Sequence, residues 1–433
     1  MNIRFLGAAQ EVGRSAILVD SGRHKTLLDC GVKLGKEEEF PLLDKGVIKS
    51  LDNVVLSHAH LDHSGFLPAL YAQGYRKKVV CTKPTRDLIQ LLLADYLRIN
   101  QEKAVYSLED VTRLLTRTDI MEYNTEVKGI TLFEAGHILG SAMTQIKSGK
   151  HTLLYTGDLN TRPSRLLEPA ASQMQADTLI IESTYGGHGD KHLATKDSSK
   201  MLVDSIQATV EHGGKVIIPT FAIGRGQEIL FTLENYLRSG GLRHTPVYLD
   251  GMIKKALKIY RHNAIYLKKE VQHRILTSDD DPFKSPFYKF PERKDRSDVF
   301  EQPTAIILTT SGMLNGGPVL SYLKKLAPDR KNKVILVGFQ AKGTRGRLLL
   351  EGTDELQIDD EKVPINLEVD EARFSAHSDQ GELLKFIKGI KGLKNVFIQH
   401  GESEKCEEFS QAITKQNKKL RVEVPQLGEE FKV

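Results

Sequence analysis

The sequence predicts an α/β chain in two parts: one domain that is split, and a second that is inserted into it. Three observations lead there. Short apolar runs of strand length, punctuated by glycines, fill the chain up to residue 184, and several end on a histidine or an aspartate. Beyond Glu182 strands and helices alternate, which implies a parallel sheet flanked by helices. From residue 365 onward short strands and helices return and carry two further histidine motifs. The expected parts are residues 1–184 and 371–433 for the split domain and 185–370 for the insertion.

In order, the runs at 16–19, 26–28 and 53–56 read as strands, with Gly13, Gly22 and Gly31 as breaks. From Ser64 the spacing of Phe66, Leu67 and Leu70 predicts a helix, and 79–81 predicts another strand. Pro84, at a permitted first-turn position, opens a long helix through Leu88, Leu91, Leu92 and Tyr96. Strands follow at 130–133, 142–145, 152–155 and 178–181. In the insertion the expected helices are 197–211, 225–238, 252–262 and 318–326. The strands between them are 215–219, 247–249, 304–308 and 334–337. Residues 277–300, acidic at 279–281 and charged again at 293–296, read as a long surface excursion. The chain shows no internal repeat and no low-complexity tract.

At 433 residues the chain can bury one large core or two. Its 40% hydrophobic content is ordinary for a globular protein. A net charge of +5 and a pI near 8.8 permit an anionic partner without demanding one. Cys30, Cys81 and Cys406 are odd in number and widely spaced, which reads as a reduced, intracellular protein without a disulfide framework. The first residues lack a signal-peptide pattern. No apolar run approaches the ~18–20 residues of a membrane span. The expectation is a cytoplasmic protein that does not enter a membrane.

The chemistry concentrates at 58–63, where His58, His60, Asp62 and His63 directly follow a strand. One tetrahedral zinc rarely takes so many ligands from one loop, so a site for two ions is expected. Imidazole with carboxylate suits zinc, and less often manganese or iron; without a thiolate, a structural zinc knuckle is disfavoured. A loop that merely contains several histidines is the bland alternative. Partners downstream weigh against it: His137 after the strand at 130–133, Asp158 after 152–155, and His400 ending an apolar run from 395. Each stands beside a glycine, which lets the backbone approach closely, on loops that a rigid sheet would hold.

This set of motifs resembles the metallo-β-lactamase superfamily and, within it, the β-CASP nucleases. Asp29 matches motif one, His58, His60, Asp62 and His63 motif two, His137 motif three and Asp158 motif four. Glu182, His377 and His400 match the three β-CASP motifs in order, and 309–313 matches the family's Ser-Gly-Met loop. The resemblance spans nearly the whole chain and no signature motif is missing. It is nearest to the archaeal and bacterial relatives of the cleavage and polyadenylation specificity factor nuclease. It is less like RNase J, whose histidine motif more often reads His-Gly-His-x-Asp-His. Neither the preceding KH domains of one archaeal subgroup nor a C-terminal appendage is expected. The implied fold is a metallo-β-lactamase αββα sandwich, split, with an inserted β-CASP α/β domain.

The resemblance also implies roles. His58, His60 and His137 would hold one Zn2+ and Asp62, His63 and His400 the second, with Asp158 bridging. Two ions ~3.5–4 Å apart activate a water and clamp phosphate oxygens. Zinc is expected, with Mn2+ the rival. Asp29 is implied to orient a ligand histidine, His58 or His60, from behind; its bland alternative is a strand-end turn aspartate. His377 is implied to be the general acid, its ring held and charged by Glu182. The alternative for His377 is a simple hydrogen bond to a phosphate oxygen.

A large inserted domain suits a polymer better than a small molecule. Ser311 and Gly312 are candidates for a phosphate-binding turn. Arg225, opening a helix after a strand, is a candidate anion partner. Lys342, Arg345 and Arg347 add cations, each equally readable as a solvated face. No Walker A ending occurs, so no nucleotide cofactor is expected. The expected function is a zinc-dependent ribonuclease acting on single-stranded RNA in processing or decay, endonucleolytic by resemblance, leaving 3′-hydroxyl and 5′-phosphate ends. A 5′-to-3′ exoribonuclease, a non-catalytic RNA-binding subunit and a small-molecule metallohydrolase are the competitors. Family habit implies a homodimer.

Overall fold

The computed structural model describes residues 1–35, 37–100, 103–278 and 280–433; Asp279, within the expected surface excursion, lies outside the described residues. The chain divides into two compact units. One comprises residues 1–163, 167–191 and 377–433, the other 164–166 and 192–376. The chain returns to the first unit at His377 rather than at 371. Strand Glu368–Glu371 pairs in parallel with Lys333–Leu336 and so belongs to the inserted sheet.

The first unit is built on two seven-stranded sheets. One runs, edge to edge, Glu430–Lys432, Asn2–Phe5, Ile17–Asp20, Lys25–Leu28, Asn53–Val55, Val79–Cys81, Thr118–Ile120. The other runs Arg421–Glu423, Asn395–Gln399, Thr178–Glu182, His151–Tyr155, Ala142–Ser148, Ile130–Glu134, Glu126–Val127. Ile3, Phe5 and Val55 from the first sheet share a buried cluster with Leu153, Ile180 and Phe397 from the second, so the sheets face each other. Strand side chains alternate between faces. Leu154, Leu179 and Ile181 therefore point the other way, onto Leu383 and Phe386 of helix Gln380–Lys388 and Phe409 of helix Ser403–Gln416. Helix Lys83–Ile99 starts where Pro84 predicts, is capped by the Thr82 side chain, which accepts from the Thr85 N–H, and buries Leu88, Ile89, Leu92 and Leu93. The architecture is the expected sandwich.

The terminal segment completes both sheets. Asn395–Gln399 pairs with Thr178–Glu182, and Glu430–Lys432 pairs with Asn2–Phe5. The split domain is thus one folded body whose last strands come from beyond the insertion.

Strand direction positions the site. Thr178–Glu182 runs parallel to both His151–Tyr155 and Asn395–Gln399. Ile130–Glu134 reaches the same direction through the antiparallel Ala142–Ser148. In the facing sheet Lys25–Leu28 and Asn53–Val55 are parallel. Asp29, His58, His137, Asp158, Glu182 and His400 all lie at or just beyond the C-terminal ends of these strands. The helix expected from Ser64 begins earlier, as Leu61–Ser64 and then Leu67–Ala72, which places Asp62 and His63 on its first turn.

The second unit holds a six-stranded parallel sheet in the order Tyr288–Lys289, Val247–Leu249, Ala305–Thr309, Lys215–Pro219, Lys333–Leu336, Glu368–Glu371. Helices Thr195–Glu211, Arg225–Arg238, Ile253–His262 and Val319–Leu326 connect it much as the alternation predicts. Residues 277–300 are not a simple surface excursion. They supply the edge strand Tyr288–Lys289, bury Phe283 and Val299, and donate a hydrogen bond from Tyr288 Oη to the Leu230 carbonyl at 2.8 Å. Their few apolar anchors are diluted by charge, so no period shows in the sequence. Among the described residues no helix is long and apolar enough to cross a membrane.

Candidate metal centre

The first unit brings all seven expected ligands together. His58, His60, His137 and Asp158 form one group and His63, Asp158 and His400 another, with ligand atoms within 4.8 Å of one another in each. In the first group His60 Nδ1 lies 3.2 Å from His58 Nε2 and 3.1 Å from His137 Nε2. Asp158 Oδ2 lies 3.5 Å from His58 Nε2 and 3.6 Å from His137 Nε2. A tetrahedral zinc with ~2.0–2.1 Å bonds needs ligand–ligand edges of about 3.3–3.4 Å, so these four atoms frame a site of that size.

In the second group Asp158 Oδ1 lies 3.3 Å from both His63 Nε2 and His400 Nδ1, and Asp62 Oδ2 lies 3.4 Å from His400 Nε2. His63 Nε2, His400 Nε2 and Asp158 Oδ1 are buried without a hydrogen-bond partner. Orphaned buried polar atoms are costly. Three of them converging with imidazole and carboxylate chemistry are what a bound cation would satisfy. The residues present fit a metal.

Local backbone explains how distant residues meet. Asp29 and His400 both take positive φ, 59° and 52°, which bends each chain sharply off its strand. Such conformations cost roughly 1–3 kcal/mol each and persist where the surroundings hold them. The Asp29 N–H donates to the Val55 carbonyl at 2.9 Å and the His400 N–H to that of Ala8 at 2.8 Å. Close approach also requires glycine. A Cβ on Gly157 would stand 2.7 Å from Ser57 Cβ, and one on Gly401 would stand 2.3 Å from Ser183 Oγ.

The electrostatics follow from burial and mutual proximity. Burial holds the His58 ring well below its usual pKa, aided by the His63 imidazole. Burial likewise lowers His60. Both rings are therefore neutral and ready to ligate. Burial works against protonation of His63 too, but Asp158, Asp29 and Asp62 overcome it and raise His63 well above the usual value. Burial would raise Asp158, yet the imidazoles of His400, His63 and His58 hold it well below the carboxylate range. A proton and a cation thus compete for His63 Nε2.

His377 stands beside this cluster, its ring 4.5 Å from that of His137. Its Nδ1 lies 2.9 and 3.0 Å from the two oxygens of Glu182, a fully buried carboxylate. Glu182 Oε1 also accepts from the Leu159 N–H at 2.6 Å, and Oε2 from the Thr184 N–H at 3.3 Å. Burial opposes protonation of His377, but Glu182, Asp158 and Asp62 raise it to about 9.

Family models match the chain in three stretches. A metallo-beta-lactamase superfamily domain covers residues 17–184, a Beta-Casp domain 226–349, and a Zn-dependent metallo-hydrolase RNA specificity domain 362–425. A transcription termination factor FttA of Methanocaldococcus jannaschii is 40% identical over 442 residues, covering 97% of this chain and 70% of that protein. The chain belongs to the β-CASP family of the metallo-β-lactamase superfamily. An RNase J-like protein of the same organism is 40% identical over 420 residues, covering 95% of each chain. A solved Enterococcus faecalis protein of unknown function shares the fold, with a TM-score of 0.59 at 14% identity over 99% of both chains. β-CASP proteins of this kind are nucleic-acid-processing hydrolases, and the buried His and Asp cluster has the donor set that could hold a metal ion.

Two expectations need correction. Asp29 does not contact His58 or His60. It accepts from His63 Nδ1 at 2.7 Å and reaches His58 only through the Ser57 hydroxyl. The positive φ of Asp29 and the first turn at Leu61–Ser64 put His63, not its neighbours, behind the carboxylate. In the second unit Arg225 is not offered to an anion. It is buried, paired with Glu228 one turn along its own helix, and its guanidinium lies 5.6 Å from the Phe374 ring centroid. The amide of the preceding Gly224 donates to Gln227 Oε1 at 2.9 Å and Tyr260 Oη at 3.1 Å.

The other expected nucleic-acid contacts are placed as follows. Ser311 Oγ donates to the Gly316 carbonyl at 3.1 Å, and Gly312 packs so tightly that a Cβ would meet Phe221 N at 3.0 Å. Arg345 donates to the carbonyls of Gln357 at 2.8 Å and Leu314 at 3.3 Å. Lys342 is exposed. Sequence reasoning missed Ser57, Tyr155 and Thr184 as partners of the site. Strand parity at 151–155 was the signal that Tyr155 points inward.

Proposed function

We propose that this chain is a two-zinc ribonuclease that hydrolyses phosphodiester bonds of single-stranded RNA, cutting internally, in RNA processing or decay. One observation carries the proposal: Asp158 turns Oδ2 toward the His58, His60 and His137 group and Oδ1 toward His63 and His400, with His377 and Glu182 alongside. Two bound zinc ions would supply Lewis acidity, lowering the pKa of water toward ~7 and neutralising charge on phosphate oxygens. The protein's own groups do the rest. His377 commits Nδ1 to Glu182, so Nε2 carries the proton that passes to the departing 3′ oxygen as the P–O3′ bond breaks. The products are a 3′-hydroxyl and a 5′-phosphate. The buried Glu182 keeps the ring protonated and oriented. The FttA relatives are named as transcription termination factors, so the proposal extends to transcripts at termination as the RNA that is cut.

Metal-stripped protein, reloaded with zinc or manganese and given linear and circular RNA of one sequence, tests this. Zinc-dependent cutting of the circle supports the endonuclease. Cutting of the linear RNA alone favours the 5′-to-3′ exonuclease reading. No cutting by the loaded protein, or equal cutting by His60→Ala, overturns the metal-dependent reading.

A further inference from the structure

The Asp29 carboxylate is fully buried and accepts four hydrogen bonds. Oδ1 takes the Ser57 N–H at 2.7 Å. Oδ2 faces Ser57 Oγ at 2.7 Å, His63 Nδ1 at 2.7 Å and Tyr155 Oη at 2.6 Å. Behind Tyr155, Ser15 Oγ lies 3.1 Å from the phenol oxygen. Beyond Ser57, its Oγ lies 3.1 Å from His58 Nδ1.

Proton counting orders this network. An ionised carboxylate only accepts, whereas each hydroxyl has one proton to give. Tyr155 and Ser57 therefore both donate to Asp29. The Ser57 oxygen then turns a lone pair toward His58 Nδ1. Two lone pairs facing each other at 3.1 Å in a buried site would leave both unsatisfied, so His58 Nδ1 carries the proton. His63 Nδ1 likewise donates to Asp29. Both rings are left with Nε2 turned toward Asp158, at 3.5 Å from Oδ2 for His58 and 3.3 Å from Oδ1 for His63. The room for this arrangement is built in, because any side chain at residue 157 would collide with Ser57 Oγ, 2.8 Å from where its Cβ would stand.

We infer that Ser57 is a positioning residue that relays the charge of Asp29 to His58, so that one buried carboxylate sets the tautomer of one histidine in each half of the metal centre. The two halves are unequal by construction. His63 donates a charge-assisted hydrogen bond directly to Asp29, whereas His58 donates to the neutral hydroxyl of Ser57. The inference rests on the metal-centre reading above and deepens it.

Zinc titration of metal-free protein against a chromophoric chelator tests the relay. The parent is expected to take two ions. Ser57→Ala is expected to lose about 10–100-fold in affinity for one of them while keeping the other, in line with the loss of a partner behind a ligand. Ser57→Thr, which keeps the hydroxyl, is expected to restore it. Asp29→Asn is expected to weaken both. Nitrogen-15 spectra of the metal-free parent give a second readout that does not depend on metal, with the His58 proton expected on Nδ1 and shifting toward Nε2 in Ser57→Ala. Parent affinity for both ions in Ser57→Ala, or a His58 proton on Nε2 in the parent, overturns the relay. A parent that binds no zinc removes the metal reading instead, and the nitrogen spectra then decide the relay alone.

Discussion

Both oxygens of Glu182 lie within hydrogen-bond distance of a single atom, Nδ1 of His377, at 2.9 and 3.0 Å. That geometry leaves only Nε2 of the ring to deliver a proton.

His377→Ala is therefore expected to lower kcat on RNA by ~10^2–10^4-fold while leaving zinc stoichiometry intact. A phosphodiester with a p-nitrophenolate leaving group needs no protonation, so the defect on that substrate should be much smaller. An equal loss on both substrates would contradict a proton-donor role.

Asp158 faces both halves of the cluster, and its replacement should be felt in both. Asp158→Asn is expected to abolish tight binding of two zinc ions and the thermal stabilisation that zinc confers. In the parent that stabilisation is ~2.7 kcal/mol per site at about 100 times the dissociation constant. Calorimetry with and without zinc checks it; an unchanged zinc response in the variant would count against the bridging position.

A pH dependence follows from Glu134, at the end of the strand leading to His137. Burial raises its pKa to about 8, against the Gly136 amide and the Tyr123 hydroxyl, which lower it. Its folded value is above its unfolded value, so folding takes up a proton there. The resulting stability is fully present below about pH 4.5 and is lost as pH rises through about 8. Glu134→Gln removes the ionisation. Its melting temperature relative to the parent is expected to rise between pH 6 and pH 9, and a difference that stays flat with pH would refute this.

Phe397, fully buried, packs its ring at a tilt against two others, with centroids 5.6 Å from Phe5 and 4.9 Å from Phe431. It joins the terminal segment to the core between the sheets. Phe397→Ala is expected to cost ~3–5 kcal/mol, measured by denaturant unfolding, and a cost below about 1 kcal/mol would show that the segment is not integral to this core.

The two cations of the second unit should part company. Lys342→Ala is expected to flatten the log–log salt dependence of single-stranded RNA binding by ~0.7 if it meets a phosphate. Arg225→Met should leave that slope unchanged and lower thermal stability, because its charge is already paired with Glu228.

The candidate ligands were legible because His137, Asp158 and His400 sit where a short apolar run stops, and because imidazoles and carboxylates clustered at 58–63 have few other uses. The alternation of the inserted unit was legible for the same reason: period and length survive in the chain order. The edge strand at Tyr288–Lys289 was not, since two residues carry no period. Nor was the burial of Arg225, because Glu228 and Phe374 become its neighbours only through the helix and the fold.

By itself, the sequence determined the fold class, the family, and which seven side chains could hold metal, because strand periodicity and residue chemistry are local properties. Tertiary structure alone decided who stands behind whom. Asp29 faces His63 rather than His58, Ser57 comes between Asp29 and His58, and Tyr155 reaches in from the opposite sheet. Those pairings depend on backbone turns at Asp29 and His400 and on the facing of two sheets. Asp29 stands 28 positions from Ser57, 34 from His63 and 126 from Tyr155, and contacts at such separations are set by packing, which leaves no trace in local spacing.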